Sequence, residues 1–114
     1  MSTHLDEALL SELRDVMEDD FQDLLTVFLR ESAEQYRDLS RAFAGGTYDD
    51  IRALAHSLKG SCSNLGAGAC AMLAGTLETV AIAQRWVEVP ELLIALEQEL
   101  EATHREMNGW HRGT

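Results

Sequence analysis

Residues 49–66 read D-D-I-R-A-L-A-H-S-L-K-G-S-C-S-N-L-G, and their apolar side chains recur every three or four positions. This spacing is typical of an amphipathic α-helix, which turns once every 3.6 residues. The predicted apolar stripe consists of Ile51, Leu54, Ala55, Leu58, Cys62 and Leu65. His56 lies about 140° around the helix from Ile51, since each residue advances it by about 100°. We therefore expect His56 to face solvent or a partner rather than the core.

Two residues beside His56 on this helix indicate a site for an anion. Gly60 needs an explanation, because a glycine in an exposed helix costs about 1 kcal/mol relative to alanine. Helical side chains lean toward the N-terminus, so glycine here leaves the surface beside the His56 ring bare for a partner. Lys59 lies on the same side, where its ammonium can counter the charge of a phosphoryl group carried by the ring. We interpret His56 as a candidate phosphoryl acceptor.

The same residues resemble the signature of histidine-containing phosphotransfer (HPt) domains. The matching elements are His56-x-x-Lys59-Gly60, Leu65-Gly66, Leu73 and Leu77-Glu78. The resemblance implies that His56 is phosphorylated and that Lys59 and Gly60 assist it. Glu78 falls where some relatives carry glutamine, and we assign it no role in orienting phosphate.

The resemblance also implies a function and its partners. A receiver domain of a hybrid sensor kinase would donate a phosphoryl group from its aspartate, and the receiver of a response regulator would accept it in turn. The partner would supply Mg²⁺ and a lysine, so we expect the chain to need no cofactor of its own. It would be a phosphoryl carrier without an ATP site, a monomer in the bacterial cytoplasm. The rival hypothesis is a helical adaptor that binds a receiver or regulatory protein and never carries phosphate.

The surface around His56 supplies candidate partner-binding residues. Arg52 and Ser63 lie one turn and two turns from His56 on the same face of the predicted helix, where a partner or its phosphate would contact them. Ala53 and Leu54 are expected at the edge of the docking surface.

Composition limits the remaining possibilities. At 114 residues the chain is expected to form one domain over residues 1–114. A net charge of −11 argues against nucleic acid as a partner, because phosphate backbones are bound by lysine and arginine. The apolar runs are too short to span a membrane, and the acidic N-terminus does not resemble a secretory signal.

Other chemistry finds little support in the sequence. Gly66-Ala67-Gly68 lacks the strand and the G-K-[ST] motif of a phosphate-binding loop. The serines near His56 form no catalytic triad with it. We expect no metal site, because Cys62 and Cys70 lie on core stripes and act as small buried hydrophobes. The other histidines, His4, His104 and His111, are expected to face solvent. Trp86 is expected to pack between helices, and Trp110 is expected to belong to the tail.

Five helices are predicted from periodicity and end signals. The first covers residues 5–17 with Ser2 or Thr3 as its cap, and the second covers 21–43 and ends at Gly45-Gly46. The third begins at the capping pair Thr47 and Asp50 and ends at Asn64 to Gly66, the fourth covers 70–84, and the fifth follows Val89-Pro90 and frays at Gly109 and Gly113. We predict an all-α protein, an up-down four-helix bundle with an additional short N-terminal helix.

Overall fold

The computed structural model describes residues 2–111 of the chain. Its helices are α1 (Glu7–Met17), α2 (Asp20–Gly45), α3 (Tyr48–Asn64), α4 (Gly68–Ile82) and α5 (Val89–His111), with a 3-10 turn (Trp86–Glu88) before α5. Helix α2 packs on α3, α3 on α4, α4 on α5 and α5 on α2, while α1 packs on α2. Residues 2–111 contain no strand. The predicted all-α four-helix bundle with an extra N-terminal helix is therefore confirmed.

The core is built from the apolar side of each helix. On α3 the predicted stripe is buried except for Leu54, which is partly exposed at its edge. The largest fully buried side chains are Phe21, Leu10, Leu25, Leu39, Ile51, Leu58, Leu77, Leu96 and Met107. Each contributes about 1.5–3 kcal/mol through burial, which is why the stripes fix the rotation of every helix about its axis.

The start of α1 differs from the prediction. Asp6 caps this helix by accepting a hydrogen bond from the backbone N–H of Leu9 at 3.0 Å. Ser2 and Thr3 lie upstream of it, and the Ser2 hydroxyl accepts from the backbone N–H groups two and three residues further on. The N–H of Asp6 also donates to the carbonyl of Gly66 at 2.9 Å. Asp6 is therefore the capping residue, because it lies closer to the helix than Ser2 and Thr3. Its backbone N–H also attaches the N-terminal segment to the α3–α4 turn.

The predicted end of α2 and the predicted start of α3 are confirmed, whereas the predicted end of α4 is wrong. Gly46 ends α2 with φ +91°, a left-handed conformation that favours glycine, and the Thr47 hydroxyl accepts from the N–H of Asp50 at 3.2 Å to cap α3. Helix α4 stops at Ile82 rather than at Gln84. Gln84 itself has φ +57°, and this left-handed residue reverses the chain after the helix.

The C-terminal helix continues past the glycine that was expected to fray it. Gly109 lies inside α5, which runs to His111, while Gly113 lies outside the described residues. Trp110 stabilises this last turn, because its ring packs edge-on against Phe21 at 6.4 Å between centroids. Trp110 is thus a packing residue rather than a tail residue. None of the helices within residues 2–111 is both long enough and apolar enough to cross a membrane.

Candidate functional site

Helices α3 and α4 bring three side chains into one network. The Nδ1 of His56 lies 2.9 Å from Oε2 of Glu78, and the ammonium of Lys59 donates to Oε1 of the same carboxylate at 3.0 Å. One carboxylate on α4 therefore binds both polar residues of the α3 signature. The short turn between the two helices sets this register, because it makes them antiparallel neighbours.

The network fixes which nitrogen of His56 is available for chemistry. Glu78 is 15% exposed, whereas the His56 side chain is 65% exposed. An ionised carboxylate only accepts hydrogen bonds, so Nδ1 of a neutral His56 ring carries the proton and donates it to Glu78. The lone pair of the neutral ring then lies on Nε2. Exposure and tautomer together make Nε2 a nucleophile that a partner can approach.

The charge of Glu78 is stabilised within this network. The hydrogen bond from Lys59 is the largest cause lowering the pKa of Glu78 below its usual 4.5, and the bond from His56 lowers it further against the opposing effect of burial. Glu78 is therefore ionised at neutral pH. Sequence reasoning assigned it no role, although it is the only charged residue among residues 68–82. A single carboxylate on an otherwise uncharged helix was the available signal.

A glycine on α4 makes room for the lysine. A Cβ atom placed on Gly75 would lie 3.2 Å from Cδ of Lys59, tighter than an ordinary contact. Since the Lys59 stem crosses α4 at this position, Gly75 allows its ammonium to reach Glu78. The sequence analysis did not single out Gly75, because the need for it arises only from the packing of α3 on α4.

The other candidate residues spread over the exposed side of α3. Gly60 is exposed, and a Cβ there would meet nothing within 4 Å, so packing inside the chain does not require a glycine. Ser63 is exposed, and Arg52 is paired with Asp49 at 3.8 Å rather than with Glu78. Ala53 faces away from α4 and lines a groove between α2 and α3. The structure therefore brings His56 and Lys59 into one network, while the roles of the remaining positions stay predictions.

His104 does not face solvent as expected. Its Nε2 lies 2.8 Å from the hydroxyl of Ser32, which is fully buried, and its ring packs edge-on against Phe28. Burial lowers the pKa of His104. The prediction failed because α2 and α5 pack closely enough there to cover part of a ring at the edge of the α5 stripe.

The two terminal histidines also have partners. His4 contacts Glu99 on α5, and the hydrogen bond between them raises the pKa of His4. His111 lies with its Nε2 2.6 Å from the hydroxyl of Thr26. Both side chains pack back onto the bundle, so the expectation that they would face solvent was too simple.

The cysteines and tryptophan of the core are placed as predicted. Cys62 and Cys70 are free and buried, and the Cys70 sulfur lies 3.4 Å from the hydroxyl of Thr103. Trp86 packs against the rings of Phe43 and Tyr48. Within residues 2–111 no group of histidine, cysteine, aspartate or glutamate side chains is arranged to hold a metal ion.

Comparisons with known proteins agree with this architecture. The family model for the Hpt domain matches residues 23–106. The structure is similar to the crystal structure of histidine-containing phosphotransfer protein B (HptB) from Pseudomonas aeruginosa PAO1, with a TM-score of 0.96 and 32% sequence identity over 100% of this chain and 99% of that chain. A comparison with curated proteins gives no match.

A four-helix bundle with an exposed histidine on α3, matched by this family model, defines the class of the protein. The chain belongs to the Hpt domain family, as the sequence signature predicted. It is accordingly a histidine phosphotransfer protein of phosphorelays, a class whose members interact with receiver domains.

Proposed function

We propose that His56 accepts a phosphoryl group from the aspartyl phosphate of a hybrid kinase receiver and passes it to the receiver of a response regulator. The observation that carries this proposal is the Glu78 carboxylate bound to Nδ1 of the exposed His56 ring. This contact leaves Nε2 as the nucleophile. The Nε2 lone pair attacks phosphorus, the bond from phosphorus to the aspartate oxygen breaks, and the bonding pair leaves on the aspartate carboxylate. The second transfer reverses these bonds on the next receiver.

Glu78 and Lys59 would act at different stages of that transfer. When Nε2 bonds to phosphorus the ring gains positive charge, and a carboxylate already bound to the Nδ1 proton stabilises that charge without reorganising. The protonated ring is also the better leaving group for the second transfer. Lys59, whose ammonium lies 3.0 Å from Glu78, would counter the negative charge of the arriving phosphoryl group.

The proposed carrier relies on its partner for the rest of the chemistry. The receiver supplies the aspartate, a lysine and Mg²⁺, and this chain contributes position and local charge. In the proposal the chain acts as a monomer in the bacterial cytoplasm, with no cofactor and no ATP site of its own. Arg52, Ser63 and Ala53 would contact the docked receiver around the open surface beside Gly60.

The test is phosphoryl transfer from radiolabelled receivers of a panel of hybrid kinases to the wild type and to His56→Gln. We expect label that is acid-labile and alkali-stable on the wild type and none on His56→Gln. His104→Gln is the matched control, since it also removes one imidazole, and it should accept label. If no donor labels the folded wild type, or if His56→Gln is labelled equally, the adaptor hypothesis replaces the carrier.

A further inference from the structure

The two cysteines of the chain contact each other in the core. Cys62 lies near the end of α3 and Cys70 near the start of α4, and both side chains are fully buried. A hydrogen bond joins the two thiols across the helix pair. Ala55 on α3 and Ala74 on α4 are also fully buried, and such small side chains let two helices approach closely. The structure therefore holds two thiols in contact beside the short turn that joins α3 to α4.

Cys70 is also connected to the surface through polar side chains. Its sulfur lies 3.4 Å from the hydroxyl of Thr103, a fully buried residue of α5. That hydroxyl donates to Oε2 of Glu99 at 3.4 Å, and Nδ1 of His4 binds the same oxygen. The His4 side chain is 30% exposed. A continuous hydrogen-bonded path therefore runs from the buried thiols to an imidazole at the surface, and a proton can leave along it.

The two thiols differ in acidity. The hydrogen bond between them lowers the pKa of Cys70 and raises the pKa of Cys62, because Cys62 keeps its proton and donates it. Burial raises the pKa of both thiols, and the hydrogen bond from Thr103 lowers that of Cys70 further. Cys70 is thus the thiol that ionises more readily, and the thiolate is the nucleophilic form of sulfur. Cys62 lies next to it as a protonated second thiol.

The N-terminal segment, residues 2–6, covers the turn beside the cysteines. The N–H of Asp6 donates to the carbonyl of Gly66 at 2.9 Å, and a Cβ atom placed on Gly66 would lie 2.9 Å from Cβ of Asp6. His4 attaches the same segment to α5 through Glu99. The segment lies outside the helices, and chain ends of this kind open at a low cost in free energy. Its opening would give a small molecule a route to the two thiols.

We propose that Cys62 and Cys70 form an oxidisable dithiol site, which hydrogen peroxide converts to a disulfide between α3 and α4. The site lies outside the network of His56, Lys59 and Glu78, so it does not depend on the proposed function. A disulfide here would nevertheless link the two helices that bring Glu78 to His56.

The reaction has two steps. The Cys70 sulfur bonds to one oxygen of the peroxide, the O–O bond breaks, and the departing hydroxide takes up the proton that Cys70 has given up. The Cys62 sulfur then bonds to the sulfur of the Cys70 sulfenic acid, the S–O bond breaks, and the second hydroxide takes the Cys62 proton. Two thiols and one peroxide thus give one disulfide and two molecules of water.

The experiment treats the folded protein with hydrogen peroxide, denatures it in iodoacetamide and counts the free thiols by mass. The wild type should lose both thiols together with the mass of two hydrogen atoms, and dithiothreitol should restore them. Cys62→Ser should stop at a sulfenic acid that dimedone labels, about tenfold faster than Cys70→Ser reacts, as a pKa difference of about one unit implies. A wild type that keeps both thiols or forms disulfides only between molecules would overturn the proposal, as would equal rates in the two serine variants.

Thr103→Val tests the path from Cys70 to the surface. It removes the hydroxyl with little change in shape, so the pKa of Cys70 should rise and the midpoint of the pH profile of oxidation should move up by about one unit. Thr26→Val is the matched control, because that threonine binds His111 and no cysteine, and it should leave the midpoint unchanged. An unchanged midpoint in a folded Thr103→Val would overturn the path assigned to this hydroxyl.

His4→Gln tests the same path from the surface and leaves the core intact. The groups that act on Cys70 from the N-terminal segment and from α5 are His4, whose charge lowers the pKa of Cys70, and Glu99, whose charge raises it. Loss of His4 should therefore move the midpoint upward, by less than in Thr103→Val. Easier opening of the segment would raise the rate at every pH without moving the midpoint. A midpoint that stays in place or moves downward would overturn the connection between His4 and Cys70.

Discussion

His56 and His104 each contact a side chain on a neighbouring helix, yet their surroundings give them opposite properties. His56 binds the ionised carboxylate of Glu78 and remains largely exposed. His104 is partly buried and binds the fully buried Ser32 between α2 and α5. The Ser32 hydroxyl donates to the carbonyl of Phe28 at 2.6 Å, so Nε2–H of His104 donates to Ser32.

The difference shows that the partner and the access to solvent, rather than the residue type, determine what an imidazole can do. A carboxylate beside an exposed ring supports the positive charge that phosphoryl transfer creates. A buried hydroxyl beside a partly buried ring holds a neutral imidazole and contributes to packing. We therefore propose that the α3–α4 pair is the functional side of this bundle and that the α2–α5 pair is structural. Each of the following predictions tests that division.

Gly60→Gln should have the largest effect on function. Its side chain would cover the open surface next to His56 and hold the receiver away, and a displacement of about 1 Å costs about 100-fold in rate. Stability should rise by up to about 1 kcal/mol, because glutamine favours a helix over glycine. Gly60→Ala is the control, since its Cβ meets nothing within 4 Å. Single-turnover transfer and thermal unfolding measure both effects, and a near wild-type rate for Gly60→Gln would refute the role given to this glycine.

Glu78→Gln should lower the transfer rate about tenfold. The amide oxygen still accepts from Nδ1, but the charge-assisted part of the bond is lost, which is worth about 1.4 kcal/mol. Glu88→Gln is the matched control, because it removes the same charge from an exposed ion pair with Arg85 on the α4–α5 turn. Labelling of His56 by phosphoramidate should slow in parallel, since the effect lies in the nucleophile. Equal rates for the two variants would show that Glu78 only holds α4 against α3.

Ser32→Ala should separate stability from function on the other side of the bundle. It removes the partner of a partly buried imidazole, and leaving such a donor unsatisfied costs about 1–3 kcal/mol of unfolding free energy. Transfer should be unchanged at temperatures where the variant is folded. Ser57→Ala, at an exposed serine of α3, should change the free energy of unfolding by less than about 0.5 kcal/mol. A transfer rate that falls with Ser32→Ala would place the α2–α5 pair in the functional mechanism.

Local features of the fold were predictable from the sequence. The α3 stripe, the capping pair Thr47 and Asp50 and the end of α2 at Gly46 all depend on neighbours within one or two turns. The exposure of His56 follows from the same periodicity, since a side chain opposite a buried stripe must face outward.

The contacts between helices were not predictable in the same way. Glu78 meets His56 only because the turn after α3, with Gly66 at φ +72°, sets the register of α4. His104 is partly covered only because α2 packs closely there. Periodicity predicts which side of each helix is buried, but it does not predict how far the helix is shifted along its axis relative to a neighbour. The burial of residues at the boundary of an apolar stripe is therefore decided only when the helices pack.

The pH dependence of stability gives the smallest effect and tests the histidines that the sequence placed in solvent. Burial lowers the pKa of His104. The unfolded chain therefore binds a proton more readily, and stability contributed by the neutral ring is lost as pH falls below about 6.5. The bond to Glu99 raises the pKa of His4, so its contribution is present below about 6.5 and is lost as pH rises through the raised value.

The two histidines change the stability in opposite directions as the pH rises. Single variants are therefore needed to separate their contributions. Denaturant unfolding between about pH 5.5 and pH 8 should show that His104→Gln flattens the loss of stability at the acid end, whereas His4→Gln flattens the loss at the alkaline end. His111→Gln, at a third histidine that the sequence also placed in solvent, is the reference for removing an imidazole. Identical slopes for His4→Gln and His104→Gln would mean that the two rings share one environment, and the contrast between a ring bound to a carboxylate and a ring bound to a buried hydroxyl would then have to be abandoned.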